Sequence, residues 1–303
     1  MGLLKKERPQ EVSRPIEDES LPAYTGNTGD KADAPPYDFT EDKAERRSST
    51  ASSIEELPRK PGRIPAAVNA YWPSKLSRTF HLGEHRDMPL FAVKTGSGWS
   101  RKHPELTIFD GPSSDNGQML TGVTRASMWG RKYDISLPPL PGSGSAEHVK
   151  ETISTSTSWS HLVYTFSIEV PSGPNGQLRR EDFEWRTTRG DEVRELGSRW
   201  QRGWKLVRLS SEAFRGPGGE RHARDDGTTS DGKEVVAVWA HNPSWSMTKA
   251  FKFRFRGSAL AGELGERFDL MALTTGLNMW HQEMAAAAST GATTASTSAA
   301  VST

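Results

Sequence analysis

The sequence predicts an all-β protein with one central helix, and three observations lead there. Between about residue 63 and residue 284, short runs of alternating apolar and polar residues recur, each cut by Gly, Pro, Asn or Asp. Runs of this kind at intervals of a dozen or so residues read as the antiparallel strands of a sandwich or barrel. No run is followed by a periodic helix long enough for a crossover, which sets aside a doubly wound α/β fold. The third observation is residues 266–284, which carry no charge between Leu270 and Trp280 and place apolar side chains on every face of a helical wheel. A helix apolar all round is buried on all sides or lies in a membrane. Eleven residues rise only about 16 Å, roughly half a bilayer's hydrocarbon core, so burial within protein is the better reading. One such helix after ten or so strands predicts a barrel with a helix threaded through it.

The strands follow in order. Residues 79–84, 90–94 and 106–110 are the first three, then 118–127 and 132–137. The longest run, 161–170, is closed by a turn cluster at 171–176 (Pro-Ser-Gly-Pro-Asn-Gly). Residues 181–187 put Phe183 and Trp185 on one face and Asp182, Glu184 and Arg186 on the other, as strand alternation requires. Residues 204–209, 234–240 and 251–256 complete the set, and in the last of them Phe251, Phe253 and Phe255 oppose Lys252, Arg254 and Arg256. Within the helix at 266–284, Gly276 allows close approach to a strand at some cost in helix propensity.

Outside this body the texture changes. Residues 1–62 are poor in aliphatics, and the first sixty hold 10 basic and 13 acidic side chains. Such a segment cannot offset its conformational entropy by burial and reads as a disordered arm. Residues 34–39 (Ala-Pro-Pro-Tyr-Asp-Phe) are proline-rich but lack the spacer of a WW-domain ligand, and residues 48–53 form a Ser/Thr-rich stretch. Residues 285–303, almost all Ala, Ser, Thr and Gly, read as a second disordered tail. The whole chain has 303 residues, 39 Lys+Arg against 38 Asp+Glu, no Cys and a mean hydropathy of -0.68. A net charge of +1 argues against a nucleic-acid partner, and the missing cysteines remove disulfides, thiol catalysis and thiolate metal sites. With no long apolar leader and no membrane-length apolar run, the protein is expected inside the cell, cytoplasmic or nuclear, and peripheral at most to membranes.

Particular runs carry a resemblance. They are 80–84 (Phe-His-Leu-Gly-Glu), 90–93 (Leu-Phe-Ala-Val), 106–112 (Leu-Thr-Ile-Phe-Asp-Gly-Pro) and 183–186 (Phe-Glu-Trp-Arg). Later come 203–208 (Gly-Trp-Lys-Leu-Val-Arg), 235–239 (Val-Val-Ala-Val-Trp) and 262–266 (Gly-Glu-Leu-Gly-Glu). Over residues 70–284 the chain resembles the tubby C-terminal-like superfamily, which includes tubby domains, phospholipid scramblases and LURP-one-related proteins. Within it the chain is most similar to a fungal LURP-one-like group. The resemblance implies a closed β-barrel of about twelve strands around a central helix. It also implies, from the phosphoinositide site of tubby domains, an anionic headgroup as ligand. The scramblase cysteine cluster has no counterpart here, so lipid transport is not implied.

Motifs of catalysis are weak. His81 and His85 flank an H-x-x-E-H pattern, but a strand sends residues four apart some 13 Å from each other, so a strand running into a polar turn is the better reading. Residues 227–234 come near a phosphate-binding loop, yet Glu234 stands where a hydroxyl is needed and a strand follows instead of a helix. No G-x-S-x-G elbow and no EF-hand loop occur, although Asp225, Asp226 and Asp231 share a loop. Neither catalytic residue, metal nor cofactor is expected. The basic residues are more informative. Lys252, Arg254 and Arg256 form one strand face; an upstream hairpin carries Arg179, Arg180, Arg186 and Arg189, followed by Arg194, Arg199, Arg202, Lys205 and Arg208. If these strands are neighbours, they form an arginine-rich patch suited to phosphate, since Arg bonds it bidentately. Glu181, Asp182, Glu184, Asp191, Glu192 and Glu195 are interleaved, so the rival reading is a solvated face of paired charges. The expected function is therefore a non-enzymatic binding or scaffold protein, holding anionic phospholipid headgroups through Lys252, Arg254, Arg256, Arg186, Lys205 and Arg208. The alternative is a protein–protein adaptor whose N-terminal arm makes the contacts.

Overall fold

A computed structural model describes residues 60–73, 77–96, 103–127, 132–140, 142–158, 161–172, 176–197, 202–211, 227–241 and 251–299. Twelve strands run in chain order: β1 (Ala67–Tyr71), β2 (Thr79–Gly83), β3 (Phe91–Thr95), β4 (Leu106–Asp110), β5 (Gln118–Arg125) and β6 (Lys132–Leu137). They continue with β7 (Val149–Ser158), β8 (His161–Ser172), β9 (Gln177–Thr188), β10 (Gly203–Arg208), β11 (Glu234–His241) and β12 (Phe251–Phe255). Two short helices, α1 (Asp191–Arg194) and α2 (Gly257–Leu260), and one long helix, α3 (Gly265–Ala299), complete the set.

Each strand pairs antiparallel with its chain neighbour, and β1 pairs with β12 to close the barrel, from Ala67 opposite Arg254 to Ala70 opposite Phe251. Closure removes the free sheet edges that an open sheet would expose. Alternation sets the lining: in β12, Phe251, Phe253 and Phe255 are buried while Lys252 and Arg254 are only half so. Inside runs α3, where every residue from 268 to 280 is buried, a length of about 20 Å. A Cβ added at Gly276 would lie 3.2 Å from Trp239 and 3.6 Å from Phe253, so this glycine lets the helix touch the wall. Two polar side chains of the buried stretch, Thr274 and Thr275, find partners in the strands. Trp185 Nε1 donates to Thr275 Oγ1 at 3.0 Å, and Thr274 Oγ1 meets Thr121 Oγ1 at 3.5 Å.

All ten expected strands are present, and the barrel closes with twelve. The two additions are β1 and β7. β7 is mostly Ser and Thr, and among its described side chains only Glu151 and Ile153 are buried, so its alternation is faint in apolar terms. Two boundaries also change. The helix does not stop at 284 but runs on to Ala299, its continuation opening with four alanines at 285–288, the best helix formers; the expected disordered tail is helical over 285–299. Lys60, assigned by sequence to the arm, belongs to the compact unit Glu56–Thr303. Its side chain is fully buried and forms an ion pair with Asp269 of α3, with its ammonium 4.7 Å from the centre of the Phe255 ring.

Candidate functional site

The register of four adjacent strands decides whether the basic residues meet. Arg186 on β9 lies opposite Lys205 on β10, Lys205 opposite Val238 on β11, and Val238 opposite Arg254 on β12. These positions alternate with the inward Trp185, Leu206, Trp239 and Phe253, so they form one row across the outer face. At about 4.8 Å per strand the row spans roughly 14 Å. Lys252 and Arg256 have the same parity along β12 and just beyond it. Five of the six expected residues thus share a face.

Arg208 does not join them. It lies opposite the inward Phe183, and its guanidinium binds Glu181 (Nε to Oε2, 2.6 Å) and Ser258 (3.3 Å), with Glu234 at 3.6 Å. The reason is the two-residue period of the strand: Lys205 and Arg208 are three apart and point to opposite sides. Glu181 accepts from Arg208, Arg179 and Ser210. Burial alone would raise its pKa; the hydrogen bonds from Arg208, Ser210 and Arg179, with the charge of Arg208, outweigh it and lower it to about 2. A depressed carboxylate contributes stability that is present above its unfolded pKa and lost as pH falls through the folded one. Glu181→Gln is therefore expected to lower the melting temperature at neutral pH and to approach wild type as the pH drops from about 4.5 toward 2. Thermal melts across that range test it; a constant difference would show that the ionised group is not the stabilising one.

The outer row is not bare. Residues 189–197, including α1, cross it as a strap, with Val193 and Leu196 packed on Val235, Val238 and Ala240 in a second apolar cluster. Gly203 makes room for the strap, since a Cβ there would stand 2.6 Å from the Trp239 carbonyl oxygen and 2.8 Å from Val193. The strap also supplies acceptors. Glu192 pairs with Lys205 at 3.2 Å, Glu195 with Arg256 at 2.8 Å and with Arg254 at 3.9 Å, and the Leu196 carbonyl accepts from Lys252 Nζ at 2.6 Å. Arg186 is held by Glu184 (2.6 Å) and Asp231 (2.9 Å). Burial would push the Glu192 carboxyl up, but a backbone N–H, the Thr188 hydroxyl and Lys205 hold it below the usual carboxylate range. Paired charge is the resting state of this face, as the rival reading from sequence held.

Beside the strap lies a polar cleft of about 450 Å³. Arg189, Arg194, Lys205 and Arg256 line it with Asp191 and Glu192, and Thr187, Thr188, Thr228 and Ser230 add hydroxyls. Arg194 is tied to Asp191 at 2.7 Å, whereas Arg189 has no ion pair among the described residues. Four cations against two carboxylates, with hydroxyl donors between them, suit an anion bearing several oxygens. Arg189 and Arg194 were visible in the sequence, the first on the hairpin and the second just after it. The strap was not, although Asp191, Glu192 and Glu195 between Gly190 and Gly197 have the spacing of a single helical turn.

The remaining motifs resolve simply. His81 sits on β2 with Nε2 3.1 Å from the Pro112 carbonyl oxygen, and His85 falls in the turn that follows. Residues 227–234 form a turn in which Thr229 and Lys233 exchange hydrogen bonds before β11 begins. Asp231 serves Arg186, while Asp225 and Asp226, the run at 34–39 and the Ser/Thr stretch at 48–53 lie outside the described residues. Among the described residues no group of three His, Asp or Glu is placed to hold a metal, and no helix is long and apolar enough to cross a membrane.

The fold and the site define a class: a closed twelve-stranded antiparallel barrel filled by one helix, bearing an ion-paired cationic face under an acidic strap. No family model matches the chain, and neither does any curated protein or solved structure.

Proposed function

We propose that the protein is a non-enzymatic binding protein of the tubby-like kind that holds an anionic phospholipid headgroup, of the phosphoinositide type, on its outer cationic face. The observation that carries this reading is the cleft in which Lys205 and Arg256 join Arg189 and Arg194. The strap carboxylates take the place of the ligand at rest. A phosphate group carries more charge than the Glu192 or Glu195 carboxylate and competes for the same donors. The closed barrel around a buried helix is the fold that the sequence resemblance implies, and the reading draws on that resemblance.

The test is co-sedimentation of the full chain with neutral, phosphatidylserine and phosphoinositide vesicles at two salt concentrations. Binding is expected to require the phosphoinositide and to weaken with salt. Replacing Lys252, Arg254 and Arg256 together with Glu is expected to cost at least about a hundredfold in affinity, at about 1 kcal/mol per basic residue near a charged membrane surface. Its circular dichroism and melt should still report a folded barrel, because all three side chains face outward. No binding by the wild type, or equal binding by the triple variant, refutes the headgroup reading.

A further inference from the structure

A second cleft, of about 490 Å³, opens where α3 enters the barrel and shares no lining residue with the first. Its walls are apolar, formed by Met119, Leu120, Pro138 and Leu270. That volume and that lining are those of a small-molecule site. The polar groups divide into a rim and an interior. At the rim Arg63 bridges Asp110 and Glu266, each at 3.2 Å, so one cation faces two carboxylates. In the interior Arg267, its side chain 10% exposed, gives one arm of its guanidinium to the Pro138 carbonyl and the other to Glu151 at 3.1 Å. Glu151 is shared with Arg180, which also reaches Glu169 at 3.8 Å, so Arg267 is only one of two cations on this carboxylate. Two buried atoms on residues lining this cleft, Arg267 Nε and His148 Nε2, have no hydrogen-bond partner among the described residues.

We propose that this cleft binds a small amphipathic acid, a molecule with an apolar body and a single carboxylate. An unpaired buried donor costs about 1–3 kcal/mol, so a ligand that supplies its acceptor recovers that penalty. Two unpaired nitrogens match the two oxygens of one carboxylate, His148 donating in the tautomer with its proton on Nε2. The apolar walls take the body. The net negative rim repels a doubly charged phosphate more than it does a monoanion, which separates this ligand from the headgroup of the outer face.

Isothermal titration of the full chain with octanoate, decanoate and phenylbutyrate tests the assignment, with octylamine as the opposite-charge control. At least one carboxylate is expected to bind saturably and octylamine not to bind. Ala146→Trp, at an exposed lining position, should block the cleft, and His148→Ala should remove one head contact. Each is expected to weaken the carboxylate about tenfold or more without moving the melting temperature of the free protein. The triple charge reversal of the outer face should leave this binding unchanged, so that the two sites stand or fall separately. Absence of carboxylate binding, equal binding of octylamine, or full affinity in both Ala146→Trp and His148→Ala overturns the proposal.

Discussion

Replacing Leu273 and Leu277 together with Asp is expected to abolish the cooperative unfolding transition of the barrel. Both side chains lie on the stretch of α3 that is buried on every side, at 1% and 0% exposure. Each new carboxylate would enter an apolar interior with no cation opposite it, at a cost of several kcal/mol after relaxation. Each substitution also forfeits about 1.5–3 kcal/mol of leucine burial. The sum rivals the whole stability of an ordinary domain, about 5–15 kcal/mol. Calorimetry should show no excess heat-capacity peak for the double variant. Met284→Asp on the same helix, at a position 46% exposed, should melt like the wild type. A sharp melt from the double variant within a few degrees of wild type would mean that the helix does not fill the barrel.

The second large effect concerns Lys60 and Asp269. Removing one member of a buried ion pair leaves the other charge without compensation, at about 3–5 kcal/mol, so Lys60→Ala is expected to destabilise by that amount at neutral pH. Replacing both with apolar residues of similar volume, Lys60→Met with Asp269→Leu, is expected to be close to neutral or stabilising. The pH dependence has a definite sign. Burial pushes the Asp269 carboxyl up from 3.8 to about 6, with Lys60 pulling the other way and Glu266 adding to the rise. A carboxylate raised by folding contributes stability that is full below its unfolded pKa and is lost as pH climbs through the folded one. Loss of Lys60 removes the group that limits this decline. The penalty of Lys60→Ala should therefore be small near pH 4 and grow as the pH rises past about 6, which urea titrations on the two sides of that pH would measure. A penalty of equal size at both would show that the charge of Asp269 is not what Lys60 serves.

How legible this was in the sequence depends on the range of the interaction. Period-two alternation in Phe251, Phe253 and Phe255, and the charge-free run from Leu270 to Trp280, are local facts, and they predicted both the strands and the threaded helix. β7 escaped because Ser and Thr fill most of its positions, so its inward and outward faces differ little in polarity. Lys60 escaped because nothing near it in the chain marks it; its partner is more than two hundred residues away, at Asp269. The basic residues were found but only partly placed. Lys252, Arg254 and Arg256 follow from alternation within one strand, whereas the row through Arg186 and Lys205 needs the register of three strand pairs. Arg208 was misassigned to that row although parity alone, three residues from Lys205, sends it to the opposite side. The strap was hidden in a run of mixed charge that reads as solvent-facing until Val193 and Leu196 are seen to anchor it.

The position of α3 after all twelve strands has a consequence for how the protein is made. At about 5–20 residues per second, some 10–40 s pass on the ribosome between the emergence of β1 and that of α3. During that interval the inner faces of the strands have been synthesised but the segment that fills them has not. The aromatic lining of β9 through β12 must then be kept from neighbouring chains by something other than the finished core. Cellular yield should accordingly depend on nascent-chain chaperones, and a ribosome stalled before Gly265 would leave a polypeptide with an unfilled interior, a substrate for quality control.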